Sequence, residues 1–244
     1  MPYRRLPKSD TSRLKAMTAA IEQSNTVKMD DLAFSARHIH PLRNMHQNLD
    51  LAKSQQEQTW NQLVRQNKSY QNKLQKTKIY VTHFIQVINM CIAREEFSAR
   101  DRKFYEMDPS DTRVPSLVSE EEVLRWGKII IDGENNRIHA GGAPIMTPTI
   151  GKVKAWYEQF KEAYHSQKTV QKSNNRANEK IKLLRVDADR LILDVWNEVE
   201  ASFSHLSDEE RRAECMKYGL NYAYRKSEKR PNLPEAQQSD PSAL

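Results

Sequence analysis

Apolar residues recur at alternating three- and four-residue intervals along most of this chain. Leu42, Met45, Leu49 and Ala52 follow that spacing, as do Val153, Tyr157, Phe160 and Tyr164. Leu184, Ala188, Leu191, Val195, Val199, Phe203 and Leu206 make one unbroken stripe. Such intervals gather side chains on one face of an α-helix, and Asp187, Arg190, Asp194 and Asn197 fall on the face opposite the last stripe, so this helix is amphipathic. Residues 81–93 differ. Ile79, Val87 and Met90 lie off the stripe of Val81, Phe84, Ile85, Ile88 and Ile92, which predicts a helix apolar nearly all round and central in the fold.

The breaks in the pattern carry as much information as the pattern. No glycine precedes Gly127, and neither glycine nor proline occurs in residues 42–108, a span of 67 residues. Strands need turns, and turns draw on glycine and proline, so this span is predicted helical. Residues 152–218 form a second such span, also of 67 residues. A straight helix of that length would run roughly 100 Å at 1.5 Å per residue, so each span is expected to fold back. The polar stretches Gln66-Asn67-Lys68-Ser69 and Lys172-Ser173-Asn174-Asn175, where apolar periodicity fades, are the expected bends. The expected fold class is therefore all-α, with two long antiparallel helical hairpins packed as a four-helix-bundle-like core. The equal span lengths, and the match of Gln86-Val87-Ile88-Asn89 to Asp194-Val195-Trp196-Asn197 at a shift of 108, suggest an internal duplication.

Shorter helices are expected around this core, in a single helical domain of residues 1–225. Residues 1–40 read as an N-terminal arm with short helices, one capped by Asp10 or Ser12 and running to about Gln23, another starting at Thr26. The first hairpin takes residues 41–108. In the connector, 109–147, Ser119 with Glu122 forms a capping box and Gly141-Gly142 a left-handed stop, giving a helix of about 20 residues. Thr147-Pro148 reads as the cap of the second hairpin, 148–206. Ser207 with Glu210 is another capping box, for a terminal helix over 207–219, and the polar, proline-containing residues 226–244 are expected to be a disordered tail. The basic arm of residues 1–10 reads either as a flexible tail or as an extended strap docked by Tyr3 and Leu6, with the tyrosines and Arg225 of residues 221–225 flanking it.

Composition narrows the class. Of 244 residues 29% are charged and 38% hydrophobic, and the mean hydropathy is −0.84, which suits long helices with broad polar faces. Cys91 and Cys215 are far apart and outside any Cys-x-x-Cys or Cys/His cluster, so they read as small core residues of a reducing compartment. With no apolar leader and no run of 18 apolar residues, the expectation is a cytoplasmic protein without membrane contact. The formal net charge of +7 leaves an anionic partner open.

Candidate chemistry is sparse. Glu162-Ala-Tyr-His165 has the spacing that sets a carboxylate and an imidazole on one helical face to hold iron or manganese, but a di-metal site needs a second such pair, so a surface Glu and His one turn apart is the plainer reading. His83, Gln86 and Asn89 match Asp194 and Asn197 under the proposed duplication, which would make a shared polar pocket; solvated residues are the alternative. The glycines around Trp126-Gly-Lys-Ile-Ile-Ile-Asp-Gly-Glu are read as permitting close helix packing, because no phosphate-loop, dinucleotide or nucleophile-elbow pattern accompanies them. No acidic residue occurs between Glu57 and Glu95, while Arg65, Lys68, Lys73, Lys76 and Lys78 cluster near the first expected bend and Lys172, Arg176, Lys180 and Lys182 near the second. Stacked hairpins would merge these into one basic pole able to engage phosphates without reading sequence; a solvated lysine-rich bend is the alternative.

The segments YRRLPKSD at 3–10, HFIQVIN at 83–89, WGKIIIDGE at 126–134 and GGAPI at 141–145 resemble a bacterial family of conserved proteins of unknown function. That resemblance implies no activity, cofactor or site. The functional expectation is a non-enzymatic helical scaffold with a protein partner, able to form oligomers and without cofactors. Its rivals are a nucleic-acid-associated protein using the basic bends and a helical bundle that binds a metal or small ligand.

Overall fold

The computed structural model describes residues 2–223 and is all-α. Five α-helices occur among the described residues: α1 (Asp10–Thr26), α2 (Ile39–Ala93), α3 (Glu120–His139), α4 (Ile150–Ser202) and α5 (Asp208–Lys217). Single 3-10 segments at Met29–Asp31, Ala36–His38 and Ala99–Tyr105 link them, and two-residue strands β1 (Tyr3–Arg4) and β2 (Tyr222–Ala223) pair antiparallel. The expected helix starting at Thr26 is replaced by the first two of these 3-10 segments. Residues 224–244, including the expected tail at 226–244, lie outside the described residues.

The expected bends do not form. Residues 66–69 lie within the 55-residue α2, and residues 172–175 lie within the 53-residue α4. The core is thus built from one antiparallel pair of long helices in place of two hairpins. The physical reason is visible at the helix contact, where polar side chains replace apolar ones without interrupting the backbone. Gln56 Nε2 donates to Asn178 Oδ1 at 2.7 Å, and the Thr59 hydroxyl donates to Asn174 Oδ1 at 3.3 Å. Faded apolar periodicity marks a polar stretch of seam, and with no glycine or proline present the helical hydrogen bonds run through it.

The chain divides into two compact units, Met1–Glu57 with Arg176–Leu244 and Gln58–Asn175. In the first, Leu42, Leu49 and Ala52 of α2 meet Ile181, Ala188, Ile192, Val195 and Val199 of α4, and Met17 and Ala20 of α1 close the core with Tyr218 and Leu220. Helix α1 is capped by Ser9, one residue before the expected Asp10. It is locked to α4 by two-pronged ion pairs. Arg13 donates from Nε and Nη2 to Asp189, both at 2.8 Å, and Arg185 donates to Asp10 at 2.8 and 2.7 Å. Gly219 adopts φ +86°, and any Cβ there would press on the Ala16 backbone. The N-terminal strap does dock, but through Arg4, whose Nη1 reaches Glu200 at 2.8 Å and Asn197 at 2.9 Å. Tyr3 and Leu6, the expected anchors, remain exposed.

In the second unit, Val81, Phe84, Ile85 and Ile88 of α2 are fully buried against Ile130 of α3 and Val153 and Tyr157 of α4. Ile79 and Met90 are 58% and 52% exposed, so this stretch is one-sided, contrary to the central position that its all-round apolar character predicts. Helix α3 starts with the Ser119/Glu122 capping box and ends before Gly141 at φ +92°. Helix α4 begins two residues beyond the expected Thr147-Pro148 cap, with the Thr149 hydroxyl accepting from the Lys152 N–H at 3.4 Å. Among the described residues no helix is long and apolar enough to cross a membrane.

Candidate interaction groove

Within the second unit the seam between α2 and α4 is covered by α3 along only part of its length. Under α3, Tyr70 and Leu74 of α2 and Phe160 of α4 are buried with Val123, and the rings of Tyr70 and Phe160 lie 6.0 Å apart. The capping box fixes where that cover begins, because Ser119 turns the chain into α3 at Glu120. Beside that helix end a cleft of about 380 Å³ opens, walled by Trp60, Leu63, Val64, Asn67, Tyr70 and Gln71 of α2, by Gln167, Lys168 and Gln171 of α4 and by Glu120 at the head of α3. Trp60, Leu63, Val64 and Asn67 are spaced zero, three, four and seven residues along the helix, so they share one face. Trp60 is 56% and Val64 54% exposed.

The electrostatics of the groove are mixed, with basic walls on α2 and α4 and an acidic end at the start of α3. Residues 58–72 and 163–175, which supply both long walls, contain no aspartate or glutamate, but they carry Arg65, Lys68, Lys168 and Lys172, all exposed. The carboxylates nearby stand at the head of α3. Glu120 lies 3.4 Å from Lys168 Nζ, and Glu121 accepts from the Tyr164 hydroxyl at 3.1 Å. Hydrogen bonding to Glu120 raises the Lys168 ammonium above its ordinary pKa, and the backbone N–H of the helix start, followed by Tyr164, holds Glu121 below the usual carboxylate value. Among the described residues Arg65, Lys68 and Lys172 form no ion pair. Gln167 Oε1 is buried in the wall without a hydrogen-bond partner.

The residues singled out from the sequence do not converge on one site. Arg65, Lys68, Lys76, Lys172, Arg176, Lys180 and Lys182 are exposed along the two helices, and Lys73 and Lys78 are half-buried. Without bends there is no tip to gather them. Lys78 donates to the Val118 carbonyl at 3.0 Å and Lys180 to Gln55 at 3.4 Å. Of the residues of the expected polar pocket, His83, Gln86 and Asn89 belong to the second unit and Asp194 and Asn197 to the first. His83, Gln86, Asp194 and Asn197 are exposed, and Asn89 is engaged by the Thr112 carbonyl and by Arg102 at 2.9 and 3.0 Å. Glu162 and His165 are both exposed, and no group of three or more His, Cys, Asp or Glu residues among the described residues is arranged to hold a metal ion.

A buried ionic cluster in the same unit escapes the sequence reading altogether. Glu134 is fully buried and Arg137 is 3% exposed. Arg137 donates to both Glu134 oxygens at 2.9 Å, to Tyr105 Oη at 3.0 Å and to the Ala143 carbonyl at 2.6 Å. The Tyr105 hydroxyl donates to Glu134, as does the Ile145 N–H at 3.0 Å. The Phe97 ring stacks on the guanidinium at 4.0 Å. Burial first, then the bond to Glu134, pushes the Tyr105 phenol well above its ordinary pKa. Both carboxylate oxygens are thereby engaged, so the cluster fixes the 3-10 segment and the Gly-Gly-Ala-Pro turn to α3 and leaves no open position for a ligand. Its signal lay in the register, since Ile130, Ile131, Glu134 and Arg137 occupy one helical stripe.

Comparison of the chain with protein-family models, with curated proteins and with solved structures finds no match in any of the three.

Proposed function

We propose that this chain is a helical interaction protein and that the Trp60 groove of its second unit is the surface it offers to another protein. One observation carries the reading: Trp60 and Val64, on the same face as Leu63, stand more than half exposed in the middle of a long helix, beside an uncovered seam. Large exposed aromatic and aliphatic side chains in a concave, polar-rimmed site are what a partner desolvates when it binds, at roughly 25 cal/mol per Å² of apolar area removed from water. The closed cluster around Glu134 supports the same reading, because it spends the unit's most buried ionisable groups on rigidity of the groove's neighbour α3.

The test is affinity capture of the full chain from its own cells, comparing wild type with Trp60→Ala and Val64→Asp, with and without nuclease. A protein that is retained through nuclease treatment and lost from both variants is the expected result. Retention by both variants, or loss of every captured protein on nuclease treatment, rejects the groove as a protein-binding surface, and the second outcome favours nucleic acid on the exposed Arg65, Lys68 and Lys172.

A further inference from the structure

We infer that the groove's occupant is an acidic amphipathic helix, laid along the α2–α4 seam with its apolar face on Trp60 and Val64 and its carboxylates toward Lys68 and Lys172. The inference rests on the groove being an interaction surface and adds the chemistry of what it receives.

Three features of the site select that chemistry. The first is form. From Trp60 to Gln71 the α2 wall covers three turns of helix, roughly 16 Å at 1.5 Å per residue. The two walls are themselves helices, and a groove between two helical ridges seats a third helix. A cleft of about 380 Å³ takes the side chains of one helical face and leaves its backbone above the rim. The second feature is charge. Lys68 follows Val64 by one turn on α2 and Lys172 follows Lys168 by one turn on α4, so each wall carries an exposed cation one turn beyond the residues that line the cleft. Neither helical wall supplies a carboxylate, and Glu120, the one carboxylate in the lining, is already paired with Lys168. A partner helix with glutamates or aspartates flanking its apolar face meets complementary charge along both edges, whereas a lysine-flanked helix meets repulsion.

The third feature separates this occupant from single-stranded nucleic acid, which the same cations would also attract. Sequence-tolerant strand binding relies on successive aromatic faces for base stacking. Here Trp60 is exposed beside aliphatic Leu63 and Val64, and Tyr70, the other aromatic residue of the α2 wall, is buried under α3. The exposed amide side chains of Asn67, Gln71 and Gln171 complete the walls with groups suited to a polypeptide surface.

The experiment uses the full chain and three fluorescent probes: a Leu/Glu amphipathic peptide of about five helical turns, its Leu/Lys counterpart, and a labelled single-stranded oligonucleotide. Anisotropy titrations are run on wild type, Val64→Asp and the double variant Lys68→Glu/Lys172→Glu; all three positions are solvent-facing, and circular dichroism verifies that the helices persist. The Leu/Glu peptide is expected to bind at least about tenfold more tightly than the Leu/Lys peptide, to lose about tenfold on Val64→Asp, and to exchange preference with the Leu/Lys peptide on the charge-reversed double variant. Equal or stronger binding of the Leu/Lys peptide, still abolished by Val64→Asp, overturns the acidic helix while leaving the groove as an interaction surface. Peptide binding indifferent to Val64→Asp overturns both. Oligonucleotide binding that displaces the Leu/Glu peptide and is lost in the double variant overturns the inference in favour of nucleic acid.

Discussion

At the scale of single residues the sharpest expectations concern Glu134 and Gly133. The Glu134–Arg137 pair is sealed from water, so replacing Glu134 by Gln leaves a buried guanidinium facing a neutral amide; breaking such a pair from one side costs about 3–5 kcal/mol. Replacing both partners by apolar residues of similar volume removes the uncompensated charge, and Glu134→Leu/Arg137→Met is expected to recover most of that loss. Urea denaturation of the single and double variants measures the difference, and a single variant as stable as wild type would show that the pair is not sealed. Gly133 tests packing in the same place. A Cβ there collides with the Phe104 carbonyl oxygen and meets the Tyr105 ring at 2.7 Å, so Gly133→Ala is expected to destabilise by about 1–3 kcal/mol despite its better helix propensity. The close-packing role of these glycines was legible from the sequence. The ionic cluster was not, because hydrophobic periodicity treats a charged residue as a mark of the surface, and nothing local in Ile130-Ile-Asp-Gly-Glu134 says that Tyr105, 29 positions earlier, supplies a partner.

Elements obey the same division between local and distant causes. Capping boxes at Ser119/Glu122 and Ser207/Glu210 could be read directly, because a cap is satisfied within four residues. For want of breakers the 67-residue spans are helical over most of their length, to Ala93 in the first and Ser202 in the second, but the bends expected within them do not form, since Asn and Ser weaken a helix less where a tertiary partner takes up the side chain. Asn174 is taken up by Thr59 across the seam. Proline discriminates between the two arrangements. Asn67→Pro in a turn would be nearly neutral, whereas within continuous α2 it removes a backbone hydrogen bond and clashes with the preceding turn, at about 3 kcal/mol or more; thermal unfolding of that variant gives the answer. The latch between α1 and α4 carries a pH dependence. The bond from Arg185 holds the Asp10 carboxyl below its ordinary value of 3.8, against an opposing effect of burial. A depressed folded-state value gives stability that is present above pH 3.8 and is lost as pH falls from there through the folded-state value. Wild type should therefore lose stability more steeply than Asp10→Asn below about pH 4, as followed by acid titration of helical circular dichroism.

For the whole molecule, the organisation expected from sequence and the one observed cut the chain in different directions. Periodicity and span length divide it end to end into two halves, each thought to close on itself. Contacts divide it across both halves, because each long helix contributes one part to each unit. Span length records where breakers are absent, and it holds no information on whether a helix meets its own continuation or a helix a hundred residues away. One consequence separates the two organisations experimentally. The second unit, Gln58–Asn175, is contiguous in sequence and contains its own apolar clusters around Phe84 and Phe160 and the complete Tyr105–Glu134–Arg137 cluster. Residues 58–175 expressed alone are expected to give a cooperative thermal transition followed by circular dichroism, and Glu134→Gln is expected to lower its midpoint in the same direction as in the full chain. The first expected hairpin, residues 41–108, would fold alone if it closed on itself; in the observed fold its Val81, Phe84 and Ile88 need Ile130 of α3 and Val153 and Tyr157 of α4 to cover them. A gradual melt from 58–175 together with a sharp one from 41–108 would reverse this assignment, and with it the placement of the Trp60 groove beside α3.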